Sequence, residues 1–125
     1  MYKVYLAKLK REHAKPSCVY KIGITASDDA LDRLDYNGPN DSDSVLLNEE
    51  FNDIKVMNST YRKYTREEAE RIEKTIMDTI KAVKNEEYFH NWWEDKKLSG
   101  ITEMRVWNYA EVQVAYALIE LCKKW

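Results

Sequence analysis

Glycine is scarce in this chain, with three residues in 125. Glycine-cradled nucleotide sites need several at fixed spacing, and the sequence has no P-loop and no GxGxxG; GxSxG and HExxH are missing too. The two cysteines, Cys18 and Cys122, show neither CxxC nor Cys/His spacing, so neither a zinc site nor a secreted disulfide framework is suggested. Two reduced, partly buried thiols are expected instead. Positive charge is not in excess: 20 Lys and Arg stand against 22 Asp and Glu, a net charge of −2. A protein that coats duplex nucleic acid carries a strong basic surplus, which leaves room here only for a small local site. No apolar run approaches the ~18 residues a bilayer span requires, and MYKVYLAKLK alternates instead of forming a signal-peptide core. The expectation is a soluble, cytoplasmic chain with no membrane partner, folded as one domain over residues 1–125.

What is present is mostly period. Tyr2, Val4 and Leu6 alternate with Lys3, Tyr5 and Ala7, and in CVYKIGIT Tyr20, Ile22 and Ile24 alternate with Lys21, Gly23 and Thr25. These two runs, separated by REHAKPS, predict an antiparallel hairpin with Tyr5 and Lys21 as neighbours on the face away from the core. ASDDALDRLDY predicts a short helix over about residues 28–36, closed by the turn cluster NGPNDSDS. A third strand is expected around Ile54 to Tyr61. TREE is a Thr-x-x-Glu capping box opening a helix from Thr65 to about Lys84, with Ala69, Ile72, Ile76, Ile80 and Val83 inward and Glu67/Arg71 and Glu70/Lys74 as surface pairs. ITEMRVW alternates like a late strand, and Asn108 can cap a final helix, YAEVQVAYALIELCKKW. That helix is apolar almost all round, more than one core covers, so a second copy of the chain or another partner is expected against it.

Few residues invite chemistry. Glu73 falls inside the apolar stripe of its helix, where a carboxylate is costly unless it pairs, snorkels or binds a cation. A single carboxylate suffices for Mg²⁺, which keeps waters and takes phosphate oxygens. Arg33, just beyond the glycine-containing strand end, is either a solvated helix arginine or a phosphate clamp. His13 and His90 have no partner at ligand or triad spacing. Tyr88, Phe89, Trp92 and Trp93 have helix-core spacing, which favours packing over base stacking.

In order and spacing, KVYLAKL, YKIGIT, ALDRL and AERIEKTI resemble the motifs of the GIY-YIG nuclease superfamily over residues 2–84. Val4-Tyr5 is similar to the end of the first motif, and Lys21-Ile22-Gly23 to the second with lysine in the tyrosine place. That form is common in a phage and bacterial branch, where KIG is followed by a small residue and Thr. The resemblance implies an α+β fold: a small three-stranded antiparallel sheet flanked by helices, here with an extra aromatic-rich C-terminal helical segment over residues 85–125. It also implies a DNA endonuclease using one Mg²⁺ (or Mn²⁺). Tyr5 would position or activate the attacking water, Lys21 would stand in the second-motif position, Arg33 would stabilise the phosphate and Glu73 would bind the metal. Gly23 and Thr25 would border the substrate. Lys3 takes the place of the first motif's glycine.

The second expectation is a catalytically inactive module on the same scaffold, such as a phage protein that inhibits a host enzyme or sequesters a nucleotide or nucleic acid in the host cytoplasm. The acidic balance, the missing second tyrosine and the aromatic C-terminal third point that way.

Overall fold

Alternation of apolar and polar residues decides the centre of the molecule, and a computed structural model describes residues 1–11, 17–26, 51, 53–80 and 104–124. The first two runs form β1 (Lys3–Lys10) and β2 (Cys18–Thr25), antiparallel, in a register from Lys3↔Thr25 through Tyr5↔Gly23 to Lys10↔Cys18. The third strand, β3 (Asp53–Ser59), lies where expected and pairs antiparallel with the other edge of β1, with a register shift between Leu6 and Ala7. The expected three-stranded sheet is there, and two residues of ITEMRVW extend it: β4 (Met104–Arg105) pairs with Tyr20 and Lys21, giving the order β3-β1-β2-β4.

As a central strand, β1 is buried on both faces. Val4 and Leu6 on one face and Tyr5, Ala7 and Leu9 on the other are all fully buried. The Val4 face carries the helices. α1 (Arg66–Thr79) is closed at its start by the capping box, with Glu68 N–H donating to Thr65 Oγ1 at 3.2 Å and Thr65 N–H to Glu68 Oε1 at 3.3 Å. α2 (Tyr109–Cys122) opens on the same device, Asn108 with Glu111, both bonds 2.9 Å. Ala69, Ile76 and Ile80 meet Val112, Ala115 and Ile119 over Val4, Leu6, Ile22 and Trp107 in one apolar cluster. Removing one of its larger members, as in Leu6→Ala, costs about 2–5 kcal/mol. α2 therefore shares the core of β1, β2 and α1 although it belongs to the stretch expected as a C-terminal extension. Asn58 Nδ2 donates from β3 to Tyr116 O (3.3 Å) and Glu120 Oε1 (3.0 Å), and Tyr64 Oη donates to Cys122 O at 2.8 Å. These bonds tie the last turns of α2 to the sheet.

Two details differ from expectation. α1 ends at Thr79 with Ile80 as an extended C-cap, short of Lys84. Thr75 and Thr79 turn their hydroxyls back onto the carbonyls of Arg71 and Thr75, and a β-branched Thr-Ile pair is a weak helix continuation. Glu70 pairs with Arg66 at 3.1 Å and Lys74 with Asp78 at 2.6 Å, so the expected Glu70/Lys74 pair is replaced by two pairs one turn away on either side. Exposed i,i+4 partners differ by only tenths of a kcal/mol, ~0.3–0.5 each, and composition does not choose among them.

α2 is as unevenly covered as its sequence implies: Tyr109, Val114, Tyr116 and Leu121 are exposed. Among the described residues no helix is long and apolar enough to cross a membrane, and Cys18 and Cys122 are half-buried free thiols. The helix expected at 28–36, Arg33, His13, His90 and the Tyr88–Trp93 cluster lie outside the described residues.

Candidate functional site

Strand alternation sets the site on the sheet face turned away from the α1/α2 cluster. Tyr5, Lys21, Gly23 and Thr25 occupy the positions between Val4, Leu6, Ile22 and Ile24, and register places Gly23 directly opposite Tyr5, with Lys21 diagonal to it. The Tyr5 ring crosses Gly23. A methyl group there would stand 2.5 Å from Tyr5 Oη, 2.6 Å from Cζ and 2.8 Å from Lys21 Nζ, all inside contact distance. The glycine is thus the floor on which the phenol and the ammonium meet.

Lys21 Nζ donates to Tyr5 Oη at 3.1 Å and lies 5.3 Å from the ring centroid. Tyr5 is fully buried and Lys21 only 4 % exposed, so this contact operates at a lower dielectric than a surface pair. An ammonium so placed favours negative charge on the phenol oxygen, and the ring face adds a cation–π attraction. Two residues further along β2, buried Thr25 is paired across the strands with buried Lys3. The start of β1 is fixed independently: Val4 N–H donates to Thr60 Oγ1 and Thr60 N–H to Val4 O, both at 2.8 Å.

Tyr20 does not take the place of the missing second-motif tyrosine. It stacks on Trp107 on the helix side, centroids 6.3 Å apart and planes 20° apart, and burial, followed by the Cys18 charge, raises its pKa. Glu73 is half-buried on α1, whose Ala69 and Ile76 pack on the Val4 face, so the sheet stands between that helix and the Tyr5 ring. The structure brings Tyr5, Lys21, Gly23 and Thr25 together on one face and leaves Glu73 on the helix across the sheet; Arg33 lies outside the described residues. Among the described residues no three His, Cys, Asp or Glu gather as a metal site.

Sequence reading found the Tyr5–Lys21 contact but missed what Gly23 does, because that depends on the Tyr5↔Gly23 register. It also missed a cleft at the end of the sheet beside the start of α1, lined by Tyr2, Ile24, Thr25, Ala26 and Arg66. The available signal was Arg66 directly after the capping threonine, at the first position of α1. In comparisons with family models, curated proteins and solved structures, nothing matches the chain.

Proposed function

We propose that the protein is a phosphodiester-cleaving enzyme of the GIY-YIG type acting on DNA. The observation that supports this most is the Lys21 ammonium 3.1 Å from Tyr5 Oη over Gly23, because it joins three residues of the two short motifs in one charge-stabilising contact. In this reading Tyr5 Oη orients the attacking water or, as a phenolate whose charge the Lys21 ammonium balances, accepts its proton and is neutralised as the hydroxide attacks phosphorus. Arg33 holds a non-bridging phosphate oxygen, and Thr25 borders the substrate. Glu73 is the residue that the resemblance assigns to Mg²⁺ or Mn²⁺, which when bound would supply charge neutralisation at a phosphate; its place on α1, across the sheet from Tyr5, counts against this reading.

The test is plasmid nicking in Mg²⁺ and Mn²⁺, with thermal unfolding as the control for fold. Lys21→Met and Tyr5→Phe keep the buried shapes and are expected to lower the rate about 10²–10³-fold, the usual cost of one charge-stabilising donor. Glu73→Gln and Arg33→Gln are expected to abolish nicking. Folded wild-type protein that nicks no DNA with either metal overturns the proposal.

The burial of Tyr5 and Lys21, and the position of α1 on the opposite face, favour a second reading: a binding module that does not turn over substrate. Its contact surface is then the exposed strip Tyr109, Val114, Tyr116 and Leu121 of α2, against a second copy or a host protein. Under that reading Leu121→Lys abolishes assembly measured by sedimentation, and Glu73→Gln leaves it intact.

A further inference from the structure

The core closes where Ala69 and Ile76 of α1 and Ala115 and Ile119 of α2 reach the strands, and beside it the two helices leave a gap. Arg71, Ile72 and Thr75 line it from α1, and Leu118, Leu121 and Cys122 from α2, each set at the one-turn spacing of a single helix face. The opening is a cavity of about 210 Å³. We propose that this cavity binds a medium-chain fatty carboxylate, with the tail between the helices and the head group on Arg71. The proposal shares no residue with the nuclease reading, and it puts Leu121 to a different use from the binding-module reading.

The walls decide the tail. Ile72 and Leu118 are half-buried and Leu121 is 48 % exposed, so apolar surface that the fold does not cover borders the gap. The polar groups of the lining are engaged within the protein: Thr75 Oγ1 donates to Arg71 O at 2.8 Å, and Cys122 O accepts from Tyr64 Oη at 2.8 Å. Burial raises the Cys122 thiol from its ordinary 9.0, which keeps it neutral at pH 7. A polar solute finds no partner on such walls, whereas each methylene laid against them gains up to about fourfold in affinity. If a methylene fills about as much space as a water molecule in the liquid, ~30 Å³, the cavity holds about seven carbons, the tail of octanoate. The rim decides the head group. The Arg71 guanidinium is exposed, and among the described residues no carboxylate pairs with it, because Glu70 and Asp78 go to Arg66 and Lys74. Its planar fork matches the two oxygens of one carboxylate. Glu67, one turn earlier on α1, opposes an anion there and weakens binding.

The probes are sodium butanoate, hexanoate, octanoate and decanoate, titrated into the full chain by calorimetry, with 1-octanol as the uncharged control. Affinity is expected to rise by up to about fourfold per added methylene as far as octanoate and then to level off as the cavity fills. Arg71→Gln is expected to weaken octanoate about fivefold, the scale of one partly exposed charge pair, and to leave 1-octanol unchanged. Glu67→Gln is expected to strengthen octanoate, and Lys74→Gln, on the exposed Asp78 pair, to change neither ligand. Arg71 and Glu67 are exposed, so both variants keep the fold. A second readout locates the site: in a Cys18→Ser background, saturating octanoate is expected to slow alkylation of Cys122 by iodoacetamide, followed by mass spectrometry. Octanoate binding that Arg71→Gln leaves within twofold of wild type, or 1-octanol binding as tightly as octanoate, overturns the proposal. So does the absence of both binding heat and Cys122 protection. A dimer in sedimentation that Leu121→Lys dissociates and octanoate leaves intact puts a second copy on this wall and overturns it as well. None of these outcomes depends on whether the protein nicks plasmid.

Discussion

At Gly23 a side chain would occupy space that Tyr5 already fills, and the two nearest atoms belong to a rigid, fully buried ring instead of a flexible chain end. Gly23→Ala is therefore expected to destabilise by about 1–3 kcal/mol, the range for overpacking a filled core. In a Tyr5→Leu background the obstruction is gone and the ordinary penalty of a glycine inside a strand remains, so the same substitution should stabilise by about 0.5–1 kcal/mol. Urea unfolding of the four proteins in the cycle checks this. An equal effect of Gly23→Ala in both backgrounds would show that the ring does not depend on the glycine. The pairing of Tyr5 with Lys21 was legible from alternation alone, since both sit out of phase with Val4, Leu6, Ile22 and Ile24. The role of Gly23 was not, because an interstrand register depends on how the chain returns from β1 to β2, and REHAKPS carries no turn signal of fixed length.

Elements follow the sequence where the signal is local. Both capping boxes, Thr65 with Glu68 and Asn108 with Glu111, form as their four-residue patterns specify. What the sequence does not show is the long-range bond that seats α2. Asn58 is 7 % exposed and spends its amide group on Tyr116 O and Glu120 Oε1 while its Oδ1 accepts from Ser59 N–H. Asn58→Asp keeps the shape but points an oxygen at a carbonyl and a carboxylate, so a buried acceptor is left facing acceptors. The expected loss is about 1–3 kcal/mol at neutral pH, shrinking on acidification as the new carboxyl gains a proton to donate. Asn58→Ala, which removes the bonds without introducing charge, should be the milder change at pH 7. Thermal unfolding of the two variants at pH 7 and pH 5 tests the order, and an Ala variant less stable than the Asp variant at pH 7 would show that Asn58 acts through packing.

Across the whole molecule the chain has two buried faces on one small sheet, and the two were unequally legible. The Val4 face was readable because its partners Ala69 and Ile76 lie on a helix with 3.6-residue periodicity, whereas the last helix, apolar almost all round, gave no sign that Ile119 turns inward; for the Tyr5 face the strand residues could be assigned, but the separation of Glu73 from Tyr5 by the sheet could not. Helix position over a sheet depends on packing that no single segment encodes. The same architecture predicts two limbs in the pH dependence of stability. Hydrogen bonds from Lys123 and then Asn58 hold the Glu120 carboxyl below its ordinary 4.5, so its contribution is present above pH 4.5 and lost as pH falls through the lowered folded value. Glu120→Gln should remove that part of the acid limb. On the alkaline side, burial raises the Cys122 thiol from 9.0 and the Tyr20 and Tyr64 phenols from 10.0. Their neutral forms stabilise the fold fully below those ordinary values, and the contribution is lost as pH rises through the raised folded ones. Cys122 titrates first in the unfolded chain, so Cys122→Ser is expected to move the onset of alkaline destabilisation from near pH 9.0 toward 10.0, where the tyrosines take over. Urea midpoints measured from pH 8 to pH 11 locate that onset. An onset unmoved by Cys122→Ser would mean that the thiol end of α2 is as hydrated in the folded protein as in the unfolded chain, and that the Tyr64 bond to Cys122 O does not close that end of the helix against the sheet.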